Sequence, residues 1–399
     1  MMRKITLVFI LLIITVTMAC SPAERRAQER AERAKSGQGD ILIAAVWDFE
    51  QSETLFDEGV KLATDEINQG GGVLGRKLRV EMHNAPSSEM ALKVARRLVK
   101  NPDIVAVVGH DLSSGAIPAS VVYEKSGMLF VSAGATSPLL TSHGFNMVFR
   151  NIPSDRQTGA ILADFAVQAG LKKVAVIDDE TVYGRLLAES FLEHAHKVGM
   201  EIKMVKSYFL WQTNFKLLAS EIKSAEVDAV FLGAILPLAA EVISQIREMG
   251  IEAPILAGDG LDSPTLWKIA GEASEGTIVS TVFNTQSKDE ITRKFVSDFT
   301  TRFGIMPDTW AAQGYDVVKL LADSFTLAKS TVPIVVSSYM RFMVSRHGVT
   351  GSYSFSEHGD IVGKEMFFKK VTDGKFQYLD AEIKDSRLVK EPQSPPPLQ

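Results

Sequence analysis

The chain has 399 residues, 46% hydrophobic and 23% charged, enough apolar mass for two cored domains. Its formal charge of −5 becomes −7 without Arg3 and Lys4, and no basic stripe with interleaved aromatics appears, which excludes polyanions and nucleic acid as partners. The single cysteine, Cys20, excludes an internal disulfide, so the fold rests on its hydrophobic cores.

Residues 1–19 read as a signal peptide. Arg3 and Lys4 supply the positive start, and 5–19 is an apolar run shorter than the roughly 20 residues that a spanning helix needs. The run ends in Ala19-Cys20-Ser21, which resembles a bacterial lipoprotein leader with Cys20 as the lipidated new N-terminus. Thr17 departs from the branched aliphatic usual there, and an ordinary secretory leader is the alternative. Residues 20–39 carry charges of both signs and no apolar face, as expected of a solvated tether. At the far end, 383–399 is expected to be a disordered, proline-rich tail.

From Asp40 the chain alternates. Strands are expected at 41–46, 78–82, 105–108 and 129–131, with helices at 56–68, at 89–100 and after Ser113. Short β-branched strands separated by helices give a parallel sheet with right-handed crossovers, hence a doubly wound domain. Gly70-Gly71-Gly72-Val73-Leu74-Gly75 matches a dinucleotide-binding spacing, but it follows a helix and precedes a strand, so it is a helix end and turn.

The stretch 105–141 organises the rest. Ser113 and Ser114 stand where a helix N-cap belongs, and 132–138 forms a second loop of small and hydroxylic residues after the next strand. A helix start offers unpaired N–H groups to an anion, and two such loops on neighbouring strands describe the ligand crevice of an open α/β sheet. Taken singly, each loop is equally a plain cap or turn.

A second alternation follows Pro153, with helices at 161–169, 186–198, 215–225 and 239–250 and strands at 174–177, 202–209, 229–232 and 255–257. The last part reads as helices 291–303, 310–327 and 335–344, then strands 352–355 and 365–371. Asp178, Asp179 and Glu180 are three consecutive acids with no histidine near; they cannot converge on one ion and are expected to be solvated. His110 lies near Ser113 but lacks an orienting acid, and neither G-x-S-x-G nor H-E-x-x-H is present. The chain is therefore not expected to be an enzyme, and no metal or cofactor is expected.

GHDLSSGAIPAS, SAGATSPLLT, DDETVYG and GDGLDSPTLWKIAGEASEG together resemble the type I periplasmic binding proteins, in their leucine/isoleucine/valine-binding branch, over about residues 40–379. The resemblance implies an α/β clamshell of two doubly wound parallel-sheet domains joined by a three-strand hinge. It places 40–152 with 284–348 in an N-terminal lobe and 153–283 with 349–382 in a C-terminal lobe. The crossings fall near 152–155, 282–284 and 348–352.

Carried over residue by residue, the resemblance implies that Ser113 binds a ligand carboxylate and that Thr136 meets carboxylate and ammonium. Gly134 would offer a carbonyl to the ammonium with Ala135 beside it, Asp259 would pair with that ammonium, and Tyr183 would close the pocket. Duller roles remain open, a turn for Asp259 and packing for Tyr183. The side-chain half departs from the family, with Ile235 and Leu236 in place of aromatics and Trp47 with Ser52 in place of a tyrosine.

The implied function is an extracytoplasmic receptor of an ABC importer, monomeric and membrane-anchored through Cys20. It would bind a small amino acid, aliphatic or related, and deliver it to permease subunits. The alternative is a sensor for a small carboxylate or amide that feeds a signalling partner.

Overall fold

The computed structural model describes residues 21–50 and 53–379. The expected signal peptide, Cys20, Ser52 and the tail 383–399 lie outside these residues. The described chain opens on helix α1, Pro22–Ser36, started by a capping box in which Ser21 and Glu24 exchange backbone and side-chain hydrogen bonds. The expected solvated tether is corrected here: α1 docks on the body of the protein through Arg30, which is fully buried. Its guanidinium donates to the carbonyls of Ile104, Val99, Asn101 and Ser126.

The first sheet is built from β1 (Ile41–Trp47), β2 (Leu78–Asn84), β3 (Ile104–Gly109), β4 (Leu129–Ser132) and β5 (Val148–Arg150). Its order is β2-β1-β3-β4-β5, with every pair parallel. β1, β3 and β4 are buried along their whole length, which is why they read as unbroken apolar runs and not as alternations. The crossovers are α2 (Phe56–Gln69), α3 (Ser88–Leu98) and α4 (Ser113–Lys125).

The second sheet contains β6 (Lys173–Asp178), β7 (Glu201–Ser207), β8 (Ala229–Gly233), β9 (Ile255–Ala257) and β10 (Ile278–Thr281). Around it lie α5 (Asp155–Gln168), α6 (Val182–Lys197), α7 (Lys216–Ser224), α8 (Leu238–Glu248) and α9 (Thr265–Ala270). α5 starts six residues earlier than the apolar pattern implies, because Ser154 and Gln157 form a second capping box.

The chain then returns to the first lobe. α10 (Glu290–Phe303), α11 (Thr309–Leu327) and α12 (Pro333–Phe342) bury Phe299, Leu321 and Met340 in the first core. The small antiparallel sheet of β11 (Arg346–Gly348), β12 (Gly351–Phe355) and β13 (Ile361–Val362) follows them. This corrects the expected boundary at 349. Tyr353, Phe355 and Ile361 belong to the first core, and the buried carboxylate of Asp316 on α11 ties the hairpin down through Arg346 at 2.9 Å and the Val349 N–H at 3.2 Å.

Only β14 (Phe367–Thr372) and β15 (Lys375–Tyr378) rejoin the second sheet, giving the order β15-β14-β10-β9-β8-β6-β7. The third crossing therefore falls near 362–366. Ile152, Val282 and Met366, one from each crossing, form their own small apolar cluster, so the three strands of the hinge touch.

Candidate functional site

Between the lobes lies a cleft of about 530 Å³ at the carboxyl ends of the strands. Its first-lobe wall includes Trp47, Asp111, Leu112, Ser113, Gly134 and Trp310, and its second-lobe wall Tyr183, Ile235, Leu236, Asp259 and Asp262. Six of the eight expected ligand residues thus meet in one cavity. Ala135 and Thr136 are not among the lining residues: the Ala135 methyl packs into the first-lobe core, and Thr136 is buried just behind the wall.

Ser113 is the first residue of α4, whose N-cap is Leu112 with no side-chain cap bond. The expected serine cap is therefore corrected. The Ser113 hydroxyl instead accepts the Ser137 N–H at 3.2 Å, which stitches the two loops together at the cleft wall. The loop after β4 is held from beneath by Arg150. This fully buried guanidinium pairs with Asp360 and donates to the carbonyls of Thr136 at 2.9 Å and Ser137 at 2.6 Å. Gly134 is needed for close approach: a Cβ there would lie 2.7 Å from the Trp47 ring and 3.0 Å from Asp111 Cα.

On the opposite wall the Tyr183 hydroxyl donates to Asp259 Oδ1 at 2.9 Å and accepts the Gly260 N–H at 3.0 Å. The glycines flanking Asp259 make room for this ring, since a Cβ on Gly258 or Gly260 would stand 2.5 Å from the Tyr183 hydroxyl or 2.7 Å from its ring edge. Burial pushes the Asp259 carboxyl up to about 6, although the Tyr183 hydrogen bond pulls the other way.

Asp155, the first residue of α5, is not among the expected site residues; its N–H donates to the Thr136 carbonyl at 2.9 Å. It is fully buried beside the Thr136 hydroxyl, and among the described residues neither side chain has a hydrogen-bond partner other than the other one. Burial raises the Asp155 carboxyl to about 8, with the Asp259 charge adding to it and the Thr136 hydroxyl pulling the other way. The signal that could have found it is the S-D-R-Q capping box at 154–157. Trp310, in the sequence the first residue of an apolar helical pattern, also reaches the site: its ring lies 5.7 Å from that of Trp47, which stacks on Phe56 at 4.0 Å.

One further expectation resolves differently. Asp178 and Asp179 are buried, not solvated. Asp178 accepts from Ser207 Oγ at 2.8 Å, and Asp179 accepts the N–H of Thr181 at 3.0 Å and of Ile235 at 3.0 Å. They fasten the second-lobe loops and bring Ile235 to the cleft. His110 is also buried, 3.0 Å from the Tyr123 hydroxyl and edge-on to Phe130, and burial holds its imidazole far below the usual range, at about 3. Among the described residues there is no group of three or more His, Cys, Asp or Glu able to hold a metal, and no helix long and apolar enough to cross a membrane.

A family model described as periplasmic binding protein matches residues 48–375. A Leu/Ile/Val-binding protein homolog of Brucella suis is 30% identical over 330 residues, covering 81% of this chain and 87% of that protein. Among solved structures, an ABC transporter substrate-binding protein from Desulfitobacterium hafniense in complex with Leu is 33% identical, with a TM-score of 0.78 over 85% of this chain and 100% of that one. The branched-chain amino acid transporter substrate-binding protein LivJ of Streptococcus pneumoniae, in complex with isoleucine, is 25% identical with a TM-score of 0.78, over 85% of this chain and 99% of that one.

Proposed function

We propose, for a chain that belongs to the periplasmic binding protein family and to its leucine/isoleucine/valine-binding branch, that it is the extracytoplasmic receptor of an ABC importer. It binds a small α-amino acid between its lobes and delivers it to a membrane permease; it works by binding and not by catalysis. The observation that carries this reading is the meeting of Ser113, at the start of α4, with the Tyr183–Asp259 pair across one cleft. A helix start suits a carboxylate, and a buried acid suits an ammonium, so the two walls are complementary to the two ends of a zwitterion. Thr136 and Asp155 stand buried behind this wall and back the acidic side of the cleft.

The aliphatic side chain named for the relatives is the starting expectation for the rest of the ligand. A mass spectrum of the small molecule released from the protein purified under native conditions tests the class: an α-amino acid is expected, and an aromatic or aliphatic acid without an ammonium refutes it. We further assign Cys20 as a lipid anchor, on the strength of the leader ending Ala19-Cys20-Ser21. Cys20→Ser is expected to lose acyl label and to leave the membrane fraction, and an unchanged distribution would remove the anchor.

A further inference from the structure

The cleft is lined with charge of one sign. Asp48, Glu53, Asp111, Asp259 and Asp262 are among its lining residues, and no Lys, Arg or His is. Glu53 is balanced by Lys268 at 2.6 Å, and Asp262 by the buried Lys369 at 2.6 Å. Asp259 is assigned to the α-ammonium. Asp111 has no cation against it among the described residues; its Oδ1 accepts the Leu112 N–H at 2.8 Å. Burial, with Asp48 adding to it, already pushes its carboxyl up to about 6.

Two independent features point to a cationic occupant. The first is aromatic: Trp47 and Trp310, their rings 5.7 Å apart, line the same wall as Asp111, so two indoles and a carboxylate border one cleft. A cation seated on an indole with a carboxylate beside it gains from both, and more so when water is excluded. The second is a further buried acid: Asp155 lies close enough to Asp259 and Tyr183 to act on both electrostatically, so the cleft has more acid about it than one ammonium can neutralise. A zwitterion brings one positive charge, which one of these acids uses. Closing the cleft over a neutral side chain would leave Asp111 dehydrated without a counter-charge, or force a proton onto it.

We propose that the ligand's side chain ends in a cation, an amine or guanidinium, held against Trp47 and Trp310 with Asp111 as its counter-ion, so that the cleft takes a basic amino acid. This rests on the amino-acid reading of the cleft and departs from it only in the side chain. Calorimetric titration of the full chain near pH 7.5 with L-lysine, L-arginine and L-norleucine tests it, norleucine being close to lysine in length but without the terminal charge. Lysine or arginine is expected to bind at least tenfold tighter than norleucine. In Asp111→Asn that preference is expected to vanish through weaker binding of the basic ligand, with norleucine unchanged or improved.

Norleucine or leucine binding as tightly as lysine and arginine in the unaltered protein overturns the proposal, whatever the variant does. So does an equal loss for all three ligands in Asp111→Asn. If leucine binds and the basic amino acids do not, the amino-acid reading stands and this proposal alone falls; if no amino acid binds, both fall.

Discussion

Asp259 and Ser113 face the opposite ends of the proposed ligand, and their substitutions separate an amino acid from a simple carboxylate. Asp259→Asn strands an ammonium in a dehydrated cleft, a loss of about 3–5 kcal/mol or roughly two to four decades in affinity. Ser113→Ala removes one hydrogen bond to a carboxylate, at about 1.5–3 kcal/mol. Calorimetry on both variants is expected to rank Asp259→Asn as the more damaging, and the reverse order would refute the ammonium.

The same residue sets a pH dependence. The ligand-free Asp259 carboxyl titrates near 6, above its ordinary value, and an ammonium in the cleft favours its ionised form. The free protein therefore holds the proton more strongly than the complex does, so affinity is lost as pH falls through 6 and is level above it. A drop of about tenfold between pH 7.5 and pH 5 is expected from this carboxyl, and a smaller one in Asp259→Asn. Ser113, Gly134, Tyr183 and Asp259 were legible because each sits in a strand-end loop with a recognisable motif. Asp155 was not, because its part depends on where α5 starts and on the approach of Asp259 from 104 residues away.

Helix α1 shows how an element escapes a pattern based on hydrophobicity. It buries no apolar stripe; it buries Arg30, and among the described residues no carboxylate forms an ion pair with it. Val99 and Asn101 follow the end of α3, and Ser126 follows α4, so the guanidinium sits where two helices present free carbonyls and partial negative charge. A buried arginine satisfied by main-chain carbonyls leaves no periodicity in the sequence, whereas the S-x-x-E box with proline behind Ser21 was there to be read. Arg30→Met is expected to destabilise the fold by about 2–4 kcal/mol in urea unfolding, because several buried carbonyls lose their donor at once. A change below about 0.5 kcal/mol, the scale of a surface substitution, would show that α1 contributes no more than a tether would.

The returning hairpin β12–β13 carries the matching lesson. Its alternation identified a strand, but its lobe was decided by contacts made far away in sequence, those of Asp316 with Arg346 and Val349 and of Arg150 with Asp360.

At the scale of the whole molecule, two sheets with their own cores are joined, among the described residues, by the crossings near Ile152, Val282 and Met366 and by contacts across the cleft. Glu53 reaches Lys268 and Thr265 at the mouth, and Thr309 reaches Asp262 at 2.7 Å near the hinge. Such an arrangement can open and close as two bodies, and a ligand touching both walls stabilises the closed one by its differential contacts. The two-lobe plan was legible because alternating strands and helices specify doubly wound sheets. The location of the third crossing was not, since it depends on which core accepts Tyr353 and Phe355.

The measurement that bears most directly on the account is small-angle X-ray scattering of the full chain, with and without a saturating amino acid whose binding calorimetry has established. A smaller radius of gyration in the bound state is the predicted result, as the lobes carrying Ser113 and Asp259 come together on the ligand. An unchanged radius at demonstrated saturation would contradict it.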